Sequence, residues 1–207
     1  MKKIIALFIF VSSLGFAQDS ETHKGFYLSA TGGLAFGAIT LNATNSTFNT
    51  LQANGTGFQY DIKIGAVVSE EENLILSLDA IGRAISGPSW TLDDTAVYST
   101  SSVSASDAMY GIGITKYFMP SNMFVSGTFG LGKFQIDYAN SKVTSHSGFA
   151  FQLKGGKDWW VSDDWELGIS AGLAHIAADD QSDPSNPGYS GTLSTIKVFV
   201  GLSVTYN

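Results

Sequence analysis

Three histidines, many hydroxyls and a few clustered acids are the residues in this 207-residue chain whose types could carry chemistry. His23 precedes the first patterned segment, His146 lies in a polar stretch, and His175 is followed by Asp179 and Asp180. A histidine beside an acid and a serine is the constellation of a hydrolase, and His175 with Asp179 or Asp180 is the one local match. Ser and Thr are too abundant for a nucleophile to stand out. His175 is also in phase with Leu173, at an apolar boundary where a histidine needs no role. Asp179-Asp180-Gln181-Ser182-Asp183 and Asp93-Asp94 offer oxygens to a divalent cation, but without the Gly and Glu spacing of a calcium loop. The Gly-x-Gly groupings at Gly111 and Gly130 do not open a helix, so they make no phosphate cradle. Asn42-Ala43-Thr44, Asn45-Ser46-Thr47 and Asn54-Gly55-Thr56 have the form of glycosylation acceptors and read as chance in a Thr- and Asn-rich stretch. Without cysteine, disulfide frameworks, thiolate catalysis and cysteine-based metal sites are excluded. The expectation is therefore no catalytic residue, no metal and no cofactor.

The elements that position these residues are more informative. Only 14% of residues are charged, well below the usual ~25%, while 44% are hydrophobic and the net charge is −7. No basic stripe exists to displace counterions, so nucleic acid is excluded as a partner. Met1-Lys2-Lys3, an apolar stretch over 4–16 and Gly15-Phe16-Ala17 have the form of a secretory signal peptide. Cleavage is expected before Gln18, giving a signal peptide at 1–17 and a mature chain at 18–207. Export would remove Lys2 and Lys3 and take the charge from −7 to −9.

After residue 17 the dominant pattern has period two. In 25–40, Phe26, Leu28, Ala30, Leu34 and Phe36 alternate with Ser29, Thr31, Gly33 and Gly37. In 57–68, Phe58, Tyr60, Ile62, Ile64 and Ala66 alternate with Gln59, Asp61, Lys63 and Gly65. Six further runs follow, from 74, then at 107–118, 123–134, 148–156, 165–176 and 195–206. Such alternation marks strands with one apolar and one polar face. Many of these runs are longer than the ~5–6 residues of soluble strands and match the ~9–11 that a tilted strand needs to cross a bilayer. The connections at 69–73, 119–122 and 157–164 are short. Those near 41–56, 86–106, 139–147 and 177–191 are mostly longer and polar. Short turns on one side and long external loops on the other are the asymmetry of an outer-membrane barrel. Phe26, Tyr117, Phe118, Trp159, Trp160, Trp165 and Tyr206 gather at the short-turn ends. Phe36, Tyr60, Trp90, Tyr138 and Phe149 gather near the other, so two aromatic girdles are expected.

Energy decides which face meets lipid. A Lys or Arg facing the bilayer midplane costs ~2–4 kcal/mol. Asp61, Lys63, Asp79, Arg83, Lys154, Glu166 and Lys197 all occupy polar faces, which must therefore point inward. Eight strands enclose an interior just wide enough to be filled by side chains, so these groups are expected to pair as a plug. A soluble lipocalin-like barrel would instead carry many Lys and Glu on its polar face and use shorter strands.

Three segments carry a family resemblance. They are Gly111-Ile112-Gly113-Ile114-Thr115-Lys116-Tyr117-Phe118-Met119-Pro120, Gly155-Gly156-Lys157-Asp158-Trp159-Trp160-Val161-Ser162-Asp163-Asp164-Trp165, and Gly201-Leu202-Ser203-Val204-Thr205-Tyr206-Asn207. The chain resembles small eight-stranded outer-membrane barrels of the OmpA/OmpX kind over most of its mature length. The resemblance implies an all-β, eight-stranded antiparallel up-and-down transmembrane barrel in a Gram-negative outer membrane. It also implies contact with outer-membrane lipid and delivery by the barrel-assembly machinery. That machinery reads a terminal aromatic, which here is Tyr206, one before Asn207. The expected role is non-enzymatic: cell-envelope structure, or surface recognition and adhesion toward an unknown external ligand through the loops. A narrow porin-like channel for small solutes is the first alternative. A lipid-modifying enzyme is the second, since some barrels of this class act on lipid or polypeptide.

Overall fold

A computed structural model describes residues 22–44, 49–97, 103–138, 141–180 and 190–207. The expected signal peptide at 1–17, Asn45-Ser46-Thr47 and Asp183 lie outside the described residues. Among the described residues there are eleven strands: β1 (Phe26–Thr44), β2 (Thr50–Ser69), β3 (Leu74–Ser86), β4 (Ser89–Leu92), β5 (Thr95–Val97), β6 (Val103–Phe118), β7 (Met123–Tyr138), β8 (Ser141–Thr144), β9 (Gly148–Trp160), β10 (Trp165–Asp179) and β11 (Ser190–Tyr206). Eight of them form a closed antiparallel ring in the order β1-β11-β10-β9-β7-β6-β3-β2, with β2 returning to β1. The short strands β4 and β8 add to the long-loop ends of β2 and β7, and β5 pairs β4.

Closure follows from the alternation. Each long strand has one apolar face, and joining the last strand to the first leaves no unpaired edge in the ring. Leu28 pairs Tyr206 on β11 and Ile64 on β2, so the seam is continuous from one end of the chain to the other. Gly33 stands opposite Gly201 at this seam, and a methyl there would lie 2.0 Å from the Val200 carbonyl oxygen. Two of the tight turns end on Asn73 and Asn122, at φ 47° and 51°. Asn tolerates this left-handed conformation better than most side chains. Both asparagines also turn their amides into the barrel.

The sheet is longer than the sequence pattern indicated. β1 continues to Thr44 and β2 begins at Thr50, so much of the loop region expected near 41–56 is strand, and β10 and β11 take in residues 177–179 and 190–191 at the two ends of the region expected near 177–191. The regions near 86–106 and 139–147 contain β4, β5 and β8. At the other end β9 runs to Trp160, which shortens the expected 157–164 turn to 161–164.

Candidate functional site

The barrel wall is exposed and apolar on the outside. Leu78 and Leu202 are each 70% exposed, Ile196 69%, and Ile64, Ile112, Phe129, Phe149 and Ile169 are all open to the surroundings. Covering such a belt with lipid avoids exposing it to water. Phe26, Phe118 and Trp165 are exposed at its short-turn rim, with Trp159 and Tyr206 half-buried beside them. Tyr117 and Trp160 depart from the expected girdle. Both are buried and belong to the lumen, because they share parity with Thr115 and with Lys154 on the inner faces of β6 and β9.

Inside, Asp61, Lys63, Asp79, Arg83, Lys154, Glu166 and Lys197 are all buried. Asp107 and Asp158 join them, so five acidic side chains face three lysines and one arginine. Register brings several pairs together. Lys63 lies directly opposite Asp79 across β2 and β3, and its ammonium donates to that carboxylate and to Thr128 Oγ1 at 3.1 Å. Ser77 donates to the other Asp79 oxygen at 2.6 Å. Lys154 crosses the lumen from β9 to Asp61 at 2.7 Å, and Gln152 donates to the same oxygen at 3.0 Å. Higher up, Arg83 pairs Asp107 at 2.8 Å and donates to the Gly37 carbonyl at 3.2 Å and Thr195 Oγ1 at 3.1 Å. Lys197 donates to the second Asp107 oxygen. Burying charge is costly unless it is paired and hydrogen-bonded, and these groups meet that condition.

The floor at the short-turn end is built differently. Tyr117 donates to Asp158 Oδ2 at 2.7 Å, and Ser203 donates to Oδ1 at 3.1 Å. Asn122 donates to Glu166 at 2.7 Å. His23, ahead of β1, is fully buried against this group, with Nε2 3.0 Å from Asn122 Oδ1 and its ring 3.8 Å from that of Tyr117. Desolvation of the ring holds its pKa below the ordinary histidine value; the nearby Asn122 and Asn207 amides and the charge of Asp158 only partly oppose this.

At the long-loop end the alternation inverts. Ile39, Ala53, Ile81, Ile85, Ala105, Met109, Phe134, Ile176 and Leu193 form a buried apolar cluster inside the ring. Most of the residues on the outer face at this level are polar: Thr40, Asn42, Gln52, Asn54, Ser86, Ser106, Lys133 and Thr192. The barrel is thus apolar-out around its wall and apolar-in at its rim. A change of surroundings from lipid to water along the strand would make both arrangements favourable. His175 belongs to this boundary. Its Nδ1–H donates to the Thr195 carbonyl at 2.8 Å, and its ring lies 5.7 Å from that of Phe151. Asp179 is exposed, and its carbonyl accepts from the His146 amide at 2.9 Å. These contacts tie strands and loops together at the rim.

No family model matches the chain, and no curated protein matches it in sequence. Solved structures do match. Neisserial surface protein A is 14% identical, with 89% of this chain and 99% of that chain covered, at a TM-score of 0.54. The outer membrane protein AlkL is 12% identical, covering 92% and 93%, at 0.55. The outer membrane protein OprG from Pseudomonas aeruginosa is 10% identical, covering 91% and 100%, at 0.56. At such identities the likeness is one of fold, and it agrees with the ring of strands described above. The chain has the closed, eight-stranded antiparallel architecture of the small outer-membrane β-barrels.

Proposed function

We propose that this chain is an integral protein of a bacterial outer membrane, exported by a signal peptide, whose lumen is sealed and whose work is done at its external rim. The observation that carries this reading is the inversion of alternation between wall and rim. The wall is dressed for lipid, whereas the rim has an apolar interior and a polar exterior suited to water. Strands of up to 20 residues support it, since crossing the bilayer uses only ~9–11 of them. The remainder stands outside the membrane as a rigid, water-facing sheet.

A narrow channel finds less support. The ionic groups of the middle lumen bond to one another across it, and the apolar cluster closes the space above them. The favoured role is recognition or adhesion at the cell surface, with a contribution to envelope structure. Among the described residues, β5 pairs only β4 and β8 pairs only β7. Backbone groups on such strand edges are a recognised means of binding an extended partner segment. No enzymatic step enters this reading: His175 is held by the Thr195 carbonyl and packs beside the Phe151 ring.

Two arms test the proposal. Purified barrel inserted in planar bilayers is expected to give no unitary conductance. Cells displaying the protein are expected to bind surfaces or host cells, and to lose that binding when residues 89–97 are replaced by a short Gly-Ser turn. Reproducible conductance steps together with unchanged binding would replace this reading with the channel.

A further inference from the structure

His23 enters the lumen from outside the sheet. Its neighbours Thr22 and Lys24 are exposed, and Gly25, at φ 69°, supplies the turn that lets one residue dip inward. Asn122 donates through Nδ2 to Glu166, which turns its Oδ1 toward His23. An amide oxygen only accepts, so Nε2 must carry the hydrogen in that bond. The neutral ring then leaves Nδ1 bare, and Nδ1 is buried without a hydrogen-bond partner.

We propose that His23 is a proton-operated latch, whose neutral ring docks the N-terminal segment into the barrel floor and whose protonation undocks it. A proton added to Nδ1 creates a cation and a second N–H inside a dry pocket. The groups facing it come from several strands. Glu166 on β10 lies 3.8 Å from Nε2, Asp158 is on β9, Tyr117 on β6 and Tyr27 on β1. The Asn122 and Asn207 amides and the charge of Asp158 favour the charged ring, but loss of hydration outweighs them. Because the docked ring has a depressed pKa, docking is fully favourable above the free histidine value of about 6.5. It is lost as pH falls through the lower, docked value. Undocking opens Asp158 and Glu166 to solvent while leaving the paired charges and apolar cluster above them in place. The inference relies on the outer-membrane reading only for the side from which acid arrives.

The absence of native cysteine makes Thr22→Cys a unique site for a spin label. In refolded barrel in detergent, the label should be immobile near neutral pH and become mobile as the pH is lowered below the free histidine value of about 6.5. The midpoint should coincide with the ring titration of His23 followed by NMR, and lie below the free histidine value of about 6.5. In His23→Gln, which can still donate to Asn122 but cannot titrate, the label should stay immobile throughout. A label insensitive to pH, a transition that persists in His23→Gln, or a His23 midpoint above the free histidine value of about 6.5 overturns the latch. The NMR midpoint is read on the unsubstituted chain, so the test holds even if His23→Gln folds poorly. It is also separate from the conductance and binding assays, which leave His23 untouched.

Discussion

Arg83 and Asp107 stand directly opposite one another on β3 and β6, and both Nε and Nη2 of the guanidinium reach the same carboxylate oxygen at 2.8 Å. Lys197 from β11 takes the other oxygen. One acid is therefore shared by two basic side chains near the boundary between the ionic and apolar parts of the lumen. Removing Asp107 strands both cations, and removing Arg83 strands only part of the acid's charge. Arg83→Ala is expected to cost on the order of 3–5 kcal/mol, and Asp107→Ala at least as much. Reversible urea unfolding in lipid vesicles measures both, and an unchanged midpoint for either would count against the paired plug.

The floor makes a smaller, separable contribution. Tyr117→Phe keeps the ring packed against His23 and Phe124 but deprives Asp158 of its 2.7 Å donor. The loss should be about 1–3 kcal/mol in the same unfolding assay. A girdle residue at that position would lose almost nothing, so the measurement separates the two placements of Tyr117.

Rim and wall should also differ in how the lumen is sealed. Phe134→Ala opens space in the apolar cluster above the paired charges, and should cost about 3–5 kcal/mol. The bilayer should nevertheless stay electrically silent, because the charge network beneath still fills the interior. Conductance appearing with this one truncation would show that the apolar cluster is the only seal.

Glycines of the wall divide into two kinds. At Gly33 a methyl would meet the Val200 carbonyl at 2.0 Å, within the β1–β11 seam. At Gly155 the nearest atom is the Phe124 carbonyl oxygen at 3.5 Å, an ordinary contact. Gly33→Ala should reduce the yield of folded barrel severalfold, whereas Gly155→Ala should fold like the parent. Comparing folded and unfolded bands on a cold gel decides it, and equal yields would mean the seam is looser than described.

Much of this architecture is legible in every second residue. Alternation places Lys63, Asp79 and Arg83 on inner faces, and pairing across neighbouring strands follows once the strands are in register. Asp107 was within reach of the same argument, since it is in phase with Gly111 and Thr115. Asp158 was hidden because Lys157-Asp158-Trp159-Trp160 reads as a turn, although its parity continues that of Gln152 and Lys154. Trp160 and Tyr117 read as interfacial rings because aromatic type carries no information about which face is inside. The rim was obscured for a different reason. There the inner residues Ile39, Ile85, Phe134 and Leu193 are apolar and most outer ones polar, so a rule set by the lipid-facing wall gives the wrong expectation. His23 belongs to no strand, and only the closed ring brings it to Asn122 and Glu166.

The most direct test of the account is where the expressed protein resides and how it migrates. Membrane fractionation followed by electrophoresis with and without boiling reports insertion and barrel closure together. The protein should appear in the outer-membrane fraction and migrate faster before boiling than after. A soluble periplasmic product whose mobility is indifferent to heat would contradict it.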